Sequence, residues 1–447
     1  MASHIIDSSF FGDSFGTQEM RMIFTDEALF QSWLDVEVAL AHAEAELGIV
    51  SLDVAKEIAR KANFSLLDSQ FIKEQIQLTV HPLVPLVRAL KAVCEGEAGE
   101  YVHWGATTQD IMDTGLILQL RSVHAIISRD LEELEEIMLG LVREHKNTIM
   151  AGRTHGQHAL PTTFGFKVAV WISELRRHKE RLRESRERLL VGQMSGAVGT
   201  LASLGDLGES VQELTMKRLG LKVPDITWHS SRDRLAEFMN ILAMLTTTAA
   251  KIANEIATLQ KTECAELEEP NPPGKVGSST MPHKRNPMVC EGIVAISRII
   301  CANYSLSLSG MIHEHERDMR GWQTEWECIP EICIMSGAVT RALKQVLRGL
   351  TVHVNTMKSN LTMTGGLIAS EAVMLKLGAK IGRQKAHDLV YQAAMTAFEQ
   401  SRPFRECLLE SALIRETLSD ADLDSVLDVS SYLGLAVRTC ERMLQNS

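Results

Sequence analysis

Three short segments of this chain gather side chains that can hold an anion and move a proton. The stretch EEPNPPGKVGSSTMPHKRNP, Glu268 to Pro287, packs prolines and glycines around two adjacent serines, a lysine and an asparagine. A loop of this length between helical regions is often functional, and its glycines would let it move. Thr107, Thr108 and Gln109, in HWGATTQD, place hydroxyl and amide donors side by side, a set suited to a carboxylate. GRTHGQHALPTTFG, Gly152 to Gly165, carries His155 and His158. An imidazole titrates near neutrality, so it can serve as a proton donor or as the charge partner of one.

Metal chemistry is not expected from these segments. His155 and His158 are spaced by three, but no carboxylate or third ligand accompanies them at a recognised spacing. HEHERD, His313 to Asp318, reads as a polar, partly buried segment. The eight cysteines, at 94, 264, 290, 301, 328, 333, 407 and 440, form no CxxC pair and are expected as reduced thiols. With no phosphate-binding glycine loop and no hydride-carrier fingerprint, no cofactor is implied.

The elements that must position these residues read as helices. Seven of the eleven prolines cluster at 82–85, 270–273 and 282–287, and 86–160 and 162–223 hold none. A proline inside a helix costs roughly 3 kcal/mol, so such gaps permit long helices. Phe238, Ile241, Leu245, Ala249, Ile252, Ile256 and Leu259 step by threes and fours, as do Leu120, Val123, Ile127, Leu131, Leu134, Met138 and Leu141. Sustained spacing of this kind predicts helix seams packed in a bundle. Convincing period-2 strand patterns are scarce. The fold class is therefore all-α, divided into a helical N-terminal region over 1–110, a long-helix core over 111–350 and a helical C-terminal region over 351–447.

Composition bounds the function. Hydrophobic residues are 45% and charged residues 23% of 447, as in ordinary globular proteins. The formal net charge of -11 argues against nucleic acid as the main partner, since phosphate neutralisation needs clustered Lys and Arg. A locally basic pocket for an anionic substrate remains compatible with it. The start MASHIIDSSFFGDSF lacks a basic region followed by an apolar run, and no uncharged apolar stretch reaches about 18 residues, so a cytoplasmic location without membrane association is expected.

GSSTMPHKRNP, Gly277 to Pro287, strongly resembles the signature of the fumarase/aspartase superfamily, with every fixed position filled. HWGATTQD, the THGQH region and SGAVGT at Ser195 to Thr200 look like its other shared regions, so the resemblance covers nearly the whole chain. It implies a long-helix bundle, a homotetramer, and active sites each assembled from different subunits. It also implies proton abstraction beside a carboxylate, which builds an aci-carboxylate that needs fixed donors and cations around it. On this resemblance Ser278 is the base, acting as an alkoxide, while Lys284 and Asn286 hold the carboxylate where charge collects. Thr107, Thr108, Gln109, Thr154, Ser279, Met281 and Arg317 contact substrate. His155 and His81 match two histidines of the adenylosuccinate lyase branch and are assigned to catalysis.

The branch is divided. EHERDMRGWQTEW at Glu314 to Trp326, WHSSRDR at Trp228 to Arg234 and SSYLGLA at Ser430 to Ala436 resemble the 3-carboxy-cis,cis-muconate cycloisomerases. Retention of His155 and His81 instead favours elimination of a basic leaving group. Ser14 to Met20 and Gly365 to Ala372 lack the arginines that hold a nucleotide phosphate in adenylosuccinate lyases. The expected reaction is β-elimination from a small N-substituted aspartate or related polycarboxylate, giving fumarate and an amine, with carboxymuconate cycloisomerisation as the alternative.

Overall fold

A computed structural model describes residues 4–445 of the chain. The all-helical expectation holds, and the two predicted seams lie in helices Thr108–His145 and Asp233–Leu259. Every residue named in both seams is buried. Burying side chains of this size stabilises by about 1.5–3 kcal/mol each, so the two seams specify these helices more strongly than local propensity does. Phe164–Leu189, Met288–Ser309 and Met319–Arg348 are the other long helices.

Contacts group the chain into two compact units. The first takes the chain up to Leu131 with Arg177–Ala249 and Val294–Arg341; the second takes Glu132–Arg176, Ala250–Ile293 and the chain from Ala342 on. In the first unit, helix Asp26–Glu46 is started by the Thr25 hydroxyl, which accepts from the Ala28 amide. It packs against Leu52–Lys61 and Gly208–Leu219. Arg232 is buried in this unit between two carboxylates: it donates to both oxygens of Asp113, at 2.7 and 3.0 Å, and to both of Glu325. Such a group is stable only as a set, because removing one member leaves a buried charge without a partner.

The second unit contains what the alternation test missed, an antiparallel hairpin of Ile149–Thr154 and Gln157–Thr163. Its two-residue turn has both central residues at positive φ, His155 at 53° and Gly156 at 77°. That is the turn geometry whose twist matches paired strands. A bulge between Ala151 and Arg153 and a proline at 161 break the alternation that marks a strand in sequence. The C-terminal helices Ser370–Ile381 and Arg383–Glu399 close on Val373, Leu377, Val390, Phe404, Leu408 and Ile414.

Among the described residues, one helix, Met288–Ser309, is long and apolar enough by length and composition to cross a membrane, and only 28% of its most apolar window is buried. It carries Glu291 and Arg298.

Glu44, 1% exposed, has both carboxylate oxygens without a hydrogen-bond partner. Burial, reinforced by the Glu37 charge, pushes its pKa up to about 8. A raised folded-state pKa means that Glu44 supports stability below about 4.5 and that this support is lost as pH rises toward about 8. Glu44→Gln is expected to flatten that decline, measured as a smaller drop in melting temperature between pH 5 and pH 8.5 than in the parent protein.

Candidate active site

In the first unit the turn before helix Thr108–His145 carries the expected donors. Thr107 and Thr108 are half-buried. Arg317 Nη2 donates to Thr107 Oγ1 at 2.9 Å and to the Ala197 carbonyl at 2.8 Å. Its own side chain is exposed and makes no ion pair among the described residues, so a cationic group stands beside the threonine hydroxyl. Gln109 faces inward. It is fully buried, and its Nε2 donates to Asp113 Oδ2 at 3.0 Å and to the His229 carbonyl at 2.8 Å. Its donors are therefore occupied beneath the turn.

His81 Nε2 lies 3.3 Å from Thr108 Oγ1, and its Nδ1 accepts the Val84 amide at 3.1 Å. Because the amide can only donate, neutral His81 carries its proton on Nε2, pointed at the threonine. Burial, then the nearby His103 and Arg88, lowers its pKa. The geometry makes His81 a neutral hydrogen-bond donor rather than a stored imidazolium.

Asp110 and His229 were not singled out from sequence, yet they hold this cluster together. Asp110 accepts from the amides of Thr107, Ser195 and Gly196 and lies 2.9 Å from His229 Nε2. Its place three residues after Thr107, just inside a helix, is a recognisable capping position and was the one local signal available.

In the second unit, Ser278 Oγ accepts the Met281 amide at 3.1 Å and the Thr280 amide at 3.4 Å. Amide donation to a hydroxyl oxygen favours its deprotonated form. Asn286 Nδ2 donates to the Gly277 carbonyl at 2.6 Å, drawing the two ends of GSSTMPHKRN together. Gly277 is required there, since a β-carbon would stand 2.4 Å from the Lys284 carbonyl oxygen.

Met281, Lys284 and Asn286 line a cavity of about 820 Å³, along with Lys261, His283 and Glu291. Lys284 makes no ion pair among the described residues and brings positive charge to a lining that also holds Glu268 and Glu291. Ser278 and Ser279 are not in its lining; Ser279 is exposed and Ser278 half-buried. The base of the loop is fixed by Glu269, 2% exposed, which accepts from Lys275 Nζ and from the amides of Val289 and Cys290.

His155 occupies the exposed apex of the hairpin in the same unit, with Thr154 the last residue of the strand before it. The strand is tied down by Arg153, which donates at 2.9 and 2.7 Å to the two oxygens of fully buried Glu266; Asn360 also donates to that carboxylate. The expected residues thus form a hydroxyl and histidine cluster in one unit, and a serine loop and a histidine turn in the other.

Helices of this length carrying a serine–lysine–asparagine loop define a helical lyase frame, and the comparisons agree. The lyase family profile matches residues 14–301, and the adenylosuccinate lyase C-terminal profile matches 366–443. The chain is 43% identical to N-acetyl-S-(2-succino)cysteine lyase of Dickeya dadantii, over 100% of this chain and 98% of that one. It is 40% identical to 3-carboxy-cis,cis-muconate cycloisomerase of Pseudomonas aeruginosa, over 99% and 97%. The crystal structure of a fumarate lyase from Mesorhizobium sp. BNC1 superposes with a TM-score of 0.91 at 39% identity, covering 98% of this chain and 100% of that one. This chain belongs to the fumarase/aspartase superfamily of lyases and is an enzyme of that superfamily.

The lowered pKa of His81 means that it stays neutral as pH falls past 6.5, while the unfolded chain takes up the proton there. Its contribution to stability is therefore lost only as pH drops below 6.5. A histidine-edited NMR titration should place the His81 midpoint below 6.5; a midpoint above that value would restore the role of charged acid.

Proposed function

We propose that the protein catalyses β-elimination from a 2-substituted succinate, releasing fumarate and the substituent. Ser278 alkoxide takes the proton from C3, and the electron pair first collects on the adjacent carboxylate, beside Lys284 and Asn286. It then forms the C2=C3 double bond as the C2–substituent bond breaks and the substituent leaves with its electrons. Thr107, Thr108 and Arg317 hold the other carboxylate, with Gln109 as a support and His81 donating through Nε2. Thr154, Ser279 and Met281 shape the surroundings of the reacting carbon, and His155 delivers a proton to the departing atom. The observation that carries this reading is the unpaired Lys284 ammonium on a cavity it shares with Asn286, in a loop whose Ser278 oxygen already receives two amide N–H groups.

The Dickeya relative is named for a sulfur-linked succinate, which favours a thioether substrate over the N-substituted aspartate expected from sequence. A thiol of pKa about 8.5 departs as thiolate with little help, whereas an amine must be protonated as it leaves. Ser278→Ala is expected to lower kcat at least about 1,000-fold, followed as fumarate absorbance. His155→Gln should cost about tenfold with N-acetyl-S-(2-succino)cysteine and about 100-fold or more with an N-substituted aspartate. Equal losses on both would remove His155 from leaving-group protonation.

Cycloisomerisation is the second reading, favoured by Glu314 to Trp326 and by the Pseudomonas relative. Turnover of 3-carboxy-cis,cis-muconate, with no fumarate from any substituted succinate, would establish it in place of elimination.

The working assembly in this reading is a homotetramer with sites shared between subunits, which would allow the exposed His155 turn to meet a loop from another copy. Support comes from helix Met288–Ser309, where Ile299 and Leu306, seven residues apart and so on one face, are 37% and 41% exposed on an apolar helix. Covering such a face with its own copies removes it from water. Leu306→Glu is expected to shift the mass measured by light scattering from tetramer to smaller species and to abolish turnover. An active monomer would overturn the shared site.

A further inference from the structure

Asp110 makes four hydrogen bonds inside the first unit, and nothing in the reaction proposed above calls on it. It is fully buried, and both oxygens are filled. Oδ1 accepts the Ser195 amide at 2.9 Å and faces His229 Nε2 at 2.9 Å. Oδ2 accepts the Thr107 amide at 3.0 Å and the Gly196 amide at 2.9 Å. The partners come from three chain segments, up to 119 residues away in sequence. Ser195 and Gly196, the latter at φ 77°, present consecutive amides to the carboxylate, the arrangement that backbone uses to bind an anion.

The outer side of the same turn is bridged by Arg317, whose Nη2 contacts Thr107 Oγ1 and the Ala197 carbonyl. Thr107 and the 195–197 turn are thus pinned to each other twice, once from inside by Asp110 and once from outside by Arg317. The separation of the threonine hydroxyls from the guanidinium is then set by the inner pin. The imidazole of His229 is itself placed by Thr227 Oγ1, 3.1 Å from Nδ1, so it has one orientation in which Nε2 meets Asp110.

We propose that the buried Asp110–His229 pair is a positioning device that sets the spacing of the Thr107, Thr108 and Arg317 groups and so determines affinity for the substrate carboxylate remote from the reacting carbon. This rests on the reading that those groups bind that carboxylate. The remote carboxylate keeps its charge from ground state to transition state. Weakening its grip removes uniform binding, which raises KM and leaves kcat nearly unchanged. A purely structural pair would behave differently: it would lower the active fraction and the melting temperature, reducing apparent kcat at constant KM.

The test uses N-acetyl-S-(2-succino)cysteine with four variants of the full-length protein. Asp110→Asn places an amide N–H2 against two donors, and His229→Leu removes one donor from the carboxylate; each should raise KM about tenfold or more, with kcat within about threefold. His229→Gln returns an N–H near the Nε2 position and should restore KM to within about threefold of the parent. Should Asp110→Asn fail to fold, the His229 pair of variants decides alone. Equal KM for His229→Leu and His229→Gln, or losses in kcat that follow melting temperature, would overturn the positioning role. Thr107→Val separates the two levels: if its KM equals that of the parent, the carboxylate reading of the turn itself falls.

Discussion

A carboxylate taken out of water is costly unless donors meet its lone pairs, and this chain repeats that arrangement beside each functional segment. Asp110 secures the Thr107 turn, Glu266 the strand leading to His155, and Glu269 the base of the Ser278 loop. Burying any of them without its donors would cost several kcal/mol. The cost enforces specificity: the segments far apart in sequence must converge correctly or the carboxylate is left unmatched. Glu44 marks the other outcome, for with no donor it gives up its charge and its pKa rises to about 8.

These anchors hold the two segments differently. The Thr107 turn is held from inside by the fully buried Asp110, which would suit the proposed contact to a carboxylate that is the same before and during reaction. The Ser278 loop is tied at its base through Glu269 and Lys275, by Arg285 to Glu268 and by Asn286 to Gly277, while Ser279, Met281 and Lys284 are exposed. Groups that meet charge only as it develops benefit from closing on the substrate late, because binding energy is then realised in the transition state.

The long helices were legible because burial writes itself into sequence at steps of three and four, and the Phe238 and Leu120 seams are buried throughout. The hairpin was not. Its strands are six and seven residues long, interrupted by a bulge and a proline, and its His155-Gly156 turn lacks the Asn-Gly or Asp-Gly pair that usually announces such a turn. The loop was visible through its proline and glycine content, and the side chains at 278, 284 and 286 through its resemblance to a known signature. What sequence could not display is the set of partners: Asp110 meets His229 across 119 residues, and Arg153 meets Glu266 across 113. No periodicity encodes such pairs, and they appear only once the helices have brought the segments together. Gln109 shows the same limit from the other side, since adjacency to two threonines said nothing of its turning inward.

Placing the charge-bearing chemistry on the succinate half also accounts for relatives of different activity at similar identity. A lyase and a cycloisomerase, at 43% and 40% identity over nearly the full chain, are named for different reactions. The departing or attacking group differs, and with it the demand for a proton. A thiolate asks little of an acid, an amine asks much, and a carboxylate that stays within the molecule asks nothing. His155 stands at the apex of a two-residue turn, where a side chain can change without disturbing a packed helix. Ser278 is different: its oxygen is placed by the turn of the loop itself, through the amides of Thr280 and Met281. In the proposed reaction the acid can therefore vary more freely than the base, and the leaving group is where such a site has room to diverge.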